Sequence, residues 1–278
     1  MDRNNPFATG KELDMATEDL GATGRVDLAA VFVDGTSMAF RNVLPIAGGL
    51  FIIGMAYIVS VCTFVGGLAT APFLLYGANR FMLSVVDGGP DFGALSSGVT
   101  GPEPKRVFLH GWGVILLLVV MMLPLYGVAM AVQVARKLGL LEPLVGFTLT
   151  ILMDLVWSAV VAPLTYASYV WADRGLGPMA SYSAAFTAFR PSWGALAALL
   201  VVMQAAMFPG KILWLFIQEQ SEMMASASPD QALGMKLWLM LAFYLYLAVI
   251  GGISMCWMMV AYRQVVPPLA SDALAPSA

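Results

Sequence analysis

Charge is what this sequence has least of. Asp, Glu, Lys and Arg make up 11% of its 278 residues, less than half of the roughly 25% found in ordinary soluble domains. A water-soluble domain needs polar surface over its whole exterior, and long stretches here have none, so that reading is excluded. A basic excess is missing too. The net charge of −3 offers no face that could displace counterions from phosphates, which argues against nucleic acid as a partner. Histidine occurs once, as His110, and cysteine twice, as Cys62 and Cys256, each inside an apolar segment and without CxxC spacing. Structural and catalytic zinc sites need three or four N, O or S ligands, so no metal site is expected. The 19 methionines are soft donors in principle, but most fall in apolar runs and read as packing residues. There is no P-loop, no GxSxG, no HExxH and no second carboxylate placed to work with Asp154, so neither an enzyme activity nor a cofactor is expected. The N-terminus lacks the basic and then apolar order of a cleaved signal peptide. Residues 1–25 read as a flexible cytoplasmic tail, and 267–278 as a second one.

What is present is length without charge. The 38 residues between Arg41 and Arg80 carry no formal charge; as one helix they would reach about 57 Å, against a hydrocarbon thickness near 30 Å. Two spans joined by a sharp reversal near Gly66-Gly67 resolve the excess. The remaining runs give four more, so that residues 26–266 form a transmembrane domain with spans at about 43–63, 66–86, 109–133, 144–171, 193–217 and 237–262. Pro163 and Pro209 are expected to kink two of them. The fold class is therefore all-α, a polytopic helical bundle of about six spans. Six spans place ten of the 14 Lys and Arg on one side and four on the other. By the positive-inside rule both termini are cytoplasmic, and the membrane is the bacterial inner membrane.

Ahead of three spans lies an amphipathic segment. Leu28, Val31, Phe32, Ala39 and Phe40 share a face behind Asp27 as N-cap; Tyr182, Ala185, Phe186 and Phe189 repeat the arrangement, and Phe92 with Leu95 is a shorter version. The chain thus reads as three helical hairpins, each introduced by a cytoplasmic amphipathic interfacial helix. His110, beside Trp112, belongs to the same interfacial belt.

Asp154 is the sharpest polar candidate, because a carboxylate well inside a span must be paired, protonated or hydrated. Lys211, Gln204 or a neighbouring hydroxyl would compensate it; alternatively it is a proton or cation site. Small residues at Gly48, Gly49, Gly66, Gly67, Gly251 and Gly252 suit close helix contact. The acidic stretch 217–235, with Glu219, Glu222, Met223 and Met224, reads as a solvated outer loop.

The segments TAPFLLYGANRFMLSVVDGGPDFGALSSG and APLTYASYVWADRGLGPMASYSAAFTAFRPSWGALAALL resemble the bacterial membrane families related to the YciC-like proteins and to the membrane domain attached to some glycerophosphodiesterases. Those families set a small-residue span, a charged exit and an amphipathic segment before the next span, here Ser183 through Trp193. The resemblance implies a polytopic inner-membrane protein whose biochemical role family membership does not settle. The function expected is non-enzymatic: scaffolding, regulating or assisting a membrane process, with the lipid bilayer, another membrane protein or a second copy as partner. The alternative is a transporter, or a subunit of one, with Asp154 as coupling site.

Overall fold

The computed structural model describes Leu20 and residues 24–61, 64–225 and 229–268, and all of the regular structure among them is helical. The first helix, α1 (Leu28–Arg41), starts where Asp27 places its Oδ1 2.9 Å from the amide of Ala29 and 3.3 Å from that of Ala30, satisfying donors that a helix start leaves orphaned. It stops at Asn42, whose amide and Nδ2 both turn back to the carbonyl of Met38, at 3.0 and 3.1 Å. The chain then bends by 79° into α2 (Val43–Val61). Pro45 sits in the first turn of α2, where a missing N–H costs nothing.

Helix α3 (Phe64–Val86) packs along α2. The Gly66-Gly67 pair, expected at the reversal, lies instead in the first turn of α3. In lipid the backbone gains most by keeping its internal hydrogen bonds, so glycine does not open the helix there. Residues 62–63, between α2 and α3, lie outside the described residues. A 3-10 turn, Phe92–Leu95, and the short α4 (Ser97–Thr100) lead to the long α5 (Pro104–Lys137). Helix α6 (Pro143–Val161) gives way to a 3-10 turn over Ala162–Tyr166, which contains Pro163, before α7 (Ala167–Arg174). Gly175, at φ 66°, ends α7 in the left-handed region. Helix α8 (Pro178–Phe189) and a 3-10 turn at Arg190–Ser192 run into α9 (Trp193–Ala225), and α10 (Pro229–Val265) closes the series.

The expected outer loop at 217–235 is thus mostly helix. Nothing in its sequence breaks a helix before Ser226, and Pro229 sits at the first position of the next. Helix α5 packs on α6 and α9 on α10.

Four helical stretches among the described residues are long and apolar enough to cross a membrane: Pro104–Val132, Thr148–Arg174, Pro178–Gly210 and Trp238–Val265. The bent pair of α1 and α2 makes a fifth if the two are taken together. Helix α3 falls outside this count, its apolar run being interrupted by Asn79 and Arg80. The chain is thus compatible with a multi-pass membrane protein.

The buried core gathers at one end. It takes in Val31 and Ala39 of α1, Phe81 to Leu83 of α3, Tyr166, Ala167, Val170 and Trp171 around α7, Ala184, Ala185, Ala188 and Phe189 of α8, and Cys256, Met258 to Tyr262, Val265 and Val266. Hydrogen bonds between distant segments mark the same end: Ser192 Oγ accepts from the Val26 amide and donates to Gly24 O, and the Asp27 amide donates to Gln264. The last residues of the expected N-terminal tail are therefore docked, and Leu20 is buried in the core; the rest of the tail, and residues 269–278 of the other, lie outside the described residues. Away from this end the chain covers itself little. Only 6% of the most apolar stretch in Pro104–Val132 is buried.

Close helix contact comes both from expected glycines and from glycines that sequence spacing did not single out. Gly35 backs onto Trp257, and Gly111 onto Pro72 and Trp171. Of the six expected, Gly49 meets the ring of Phe81 and Gly252 the side chain of Ile46, while nothing faces Gly251. A Cβ at position 111 would lie 2.6 Å from Pro72 Cβ and 2.9 Å from the Trp171 ring. Gly111→Leu is therefore expected to cost about 1–3 kcal/mol through overpacking, read as a lower thermal midpoint in detergent. Gly127→Ala, with nothing in its path, leaves the midpoint unchanged or raises it.

Candidate functional site

Three helices end in charge, and the three ends meet. Asp87 follows α3, just before Gly88 at φ 114°; Asp173 and Arg174 close α7; Tyr262 and Arg263 stand one turn from the end of α10. Arg263 holds Asp87 by two bonds, Nε to Oδ1 at 2.7 Å and Nη2 to Oδ2 at 2.6 Å. It holds Asp173 by two more, Nη1 to Oδ2 at 2.8 Å and Nη2 to Oδ1 at 3.1 Å. The Tyr262 hydroxyl donates to Asp173 Oδ2 at 2.9 Å. Arg174 Nε lies 3.2 Å from the same oxygen, and Arg174 Nη2 donates to the Pro267 carbonyl.

Burial decides what this cluster is. The side chains of Asp173, Arg174 and Arg263 are 4%, 8% and 11% exposed, that of Asp87 31%. Charges this dry are tolerable only when paired and hydrogen-bonded, and planar guanidinium against carboxylate is the geometry that does it best. Two acids and two arginines cancel, so the cluster is neutral and internally spent. It binds the ends of α3, α7 and α10 to one another. Arg106 adds α5, its Nη2 donating to the Gly175 carbonyl at 2.8 Å while Nη1 pairs with Glu103 at 2.8 Å.

Beneath the charges lies an aromatic stack. Tyr166 and Phe189 stack at 4.2 Å, with Tyr262 6.0 Å from Phe189. The Asn79 amide donates to the Ser168 carbonyl at 3.2 Å, tying α3 to α7 in the same layer.

Asp154, Gln204 and His110, singled out in the sequence, lie outside this cluster. Asp154 is half-buried on α6 and Gln204 half-buried on α9, each with partners of its own. The Trp193 indole donates to Ala159 O at 2.6 Å, which fixes the register of the antiparallel pair α6 and α9. Counting 1.5 Å per residue from that contact, Asp154 is level with about residue 198 of α9. The side chain of Lys211, expected to compensate Asp154, is outside the described residues. His110 is half-buried on α5, one turn beyond Arg106 and facing Gly177.

Of the expected interfacial rings, Phe40 is 63% exposed, and Phe92 is 45% exposed with its ring 5.3 Å from Phe81. Phe186 is 38% exposed. Phe189 has no exposure at all, because the face it shares with Tyr182 and Ala185 is covered by the protein rather than turned outward. Among the described residues no three His, Cys, Asp or Glu side chains are grouped so as to hold a metal.

Sequence reading passed over the clamp. Its signal was there in VVDGG and WADRG, each an aspartate just ahead of the glycine that stops a helix. Replacing Arg263 by Leu strands the buried Asp173 and is expected to cost about 3–5 kcal/mol. Asp87→Asn, at a wetter position, should cost about 1 kcal/mol or less. Denaturant unfolding in detergent measures both, and equal losses would refute the assignment of Asp173 as the buried partner.

No family model, curated protein or solved structure matches this chain.

Proposed function

We propose that this protein is a six-span membrane protein of the bacterial inner membrane, built as three hairpins with both termini cytoplasmic, and that it scaffolds, regulates or assists a membrane process without catalysing a reaction. One observation carries the reading: the strongest polar groups described are spent on one another in a neutral clamp, while the apolar flanks of the long helices stay uncovered. Catalysis needs convergent polar groups left open to a substrate. A scaffold needs a rigid end and surfaces for lipid, another membrane protein or a second copy. Six spans require α2 and α3 to cross separately; in support, α3 has 23 residues, about 34 Å of helix, and packs on α2. Kinship with the YciC-like membrane families belongs to the same reading, supported by their shared pattern of span, charged exit and amphipathic segment.

Single cysteines in a background with Cys62 and Cys256 replaced by Ser test the topology. Val33→Cys and Val99→Cys, both at exposed positions, should react with an impermeant maleimide only after the membrane is opened, and Leu140→Cys in intact cells. Val33 and Val99 on opposite sides would reduce the count to five.

Crosslinking in native membranes should recover a membrane protein or a second copy of the chain, and liposomes holding the protein should pass no more protons than empty ones. A proton flux abolished by Asp154→Asn, in protein that still folds and inserts, would replace this reading with a transporter coupled through Asp154.

A further inference from the structure

Where α1, α3 and α10 meet, the structure leaves a cleft of about 720 Å³, within the range of small-molecule sites. Helix α1 contributes Asp34, Ser37 and Arg41 to it, α10 contributes Arg263 and Gln264, and Val85 supplies apolar wall. At 100° per residue α1 has three sides. Val31, Gly35 and Ala39 form the buried one, packed on α10 through Phe32 and Trp257 at 4.9 Å and a Trp257 Nε1 to Thr36 Oγ1 bond of 2.9 Å. Asp34, Ser37 and Arg41 form the cleft side. Val33 and Phe40, 68% and 63% exposed, form an apolar side directly beside it.

The charges in the cleft are not equivalent. Arg263 already holds two carboxylates. Asp34 and Arg41 form no ion pair or hydrogen bond through their side chains among the described residues, and they stand two turns apart with Ser37 between. The cleft thus presents one open anion, one open cation and a hydroxyl, next to a ridge of bare apolar side chains.

We propose that this cleft binds the headgroup of an aminophospholipid, its phosphate on Arg41 and Ser37, its primary ammonium on Asp34, and its acyl chains along Val33 and Phe40. A headgroup of net negative charge gains Arg41 but is repelled by Asp34. A quaternary ammonium matches the charge of Asp34 but has no N–H to donate to it. The ridge selects a lipid over a free phosphoester in water, since only a lipid has chains to lay there. The inference rests on α2 crossing the bilayer, because the 79° bend then lays α1 along the surface at headgroup depth.

The test is native mass spectrometry of the delipidated full chain mixed with phosphatidylethanolamine, phosphatidylglycerol or phosphatidylcholine. Wild type should retain phosphatidylethanolamine about tenfold better than the other two, the size of one charged hydrogen bond. Asp34→Asn should erase the preference over phosphatidylglycerol, Arg41→Gln should weaken retention of all three, and Arg41→Lys should restore it. Both positions are exposed, so the variants should keep the wild-type thermal midpoint. Equal retention of the three lipids by wild type, or preference surviving both Asp34→Asn and Arg41→Gln, would overturn the proposal. So would displacement of the lipid by water-soluble glycerophosphoethanolamine, which would assign the cleft to a free phosphoester. Should the cysteine labelling place Val33 and Val99 on opposite sides, the six-span reading falls and this inference with it; should it place them on one side while the lipids go undistinguished, only this inference does.

Discussion

A buried carboxylate must be answered by a cation, and in this protein one guanidinium answers two. Arg263 makes bidentate contact with Asp173, which is nearly dry, and with Asp87, which is not. Those carboxylates belong to separate parts of the chain, so electroneutrality in a poorly hydrated place becomes a constraint on tertiary structure. Helices α3, α7 and α10 are held together at their ends because any other arrangement would leave charge uncompensated. Tyr262 adds a hydrogen bond to Asp173, and Arg174 one to the Pro267 carbonyl. The aromatic stack and the Asn79 to Ser168 bond then pack beneath a lid that is already fixed.

The two halves of the molecule follow different physics. Near the clamp, polar complementarity and dense packing set a single arrangement. Farther along the long helices there is little burial within the chain, and in lipid no hydrophobic force draws helices together. Their positions depend on short connections, on contacts such as Gly210 against Tyr246 and the Tyr246 to Ala206 hydrogen bond, and on whatever surrounds them.

Much of the helical layout could be read from the sequence because apolar run length and helix-stop chemistry are local. Asp27 as an N-cap and the helices around residues 109–133 and 193–217 are examples. The clamp could not be found that way. Its pairs are separated by 90 and 176 residues, and nothing local to Asp87 or Asp173 names a partner. Asp154 is conspicuous in the sequence because its neighbours are apolar, whereas the clamp's acids sit at helix ends among residues that already look polar. Phe189 illustrates a further limit: an amphipathic face shows that a helix has an apolar side, but not whether lipid or protein covers it. The stretch 217–235 shows the opposite limit, since polar composition alone does not interrupt a helix.

The docking of α1 bears on how the molecule is made. Its buried face of Val31, Gly35 and Ala39 is completed by Trp257, and Asp27 is bonded by Gln264, 237 positions later. During synthesis α1 emerges first among the described helices and its cover last. Through the insertion of everything between, that face has no native partner, so closing the structure is a late step, and the nascent chain must shelter a bare apolar surface until α10 arrives.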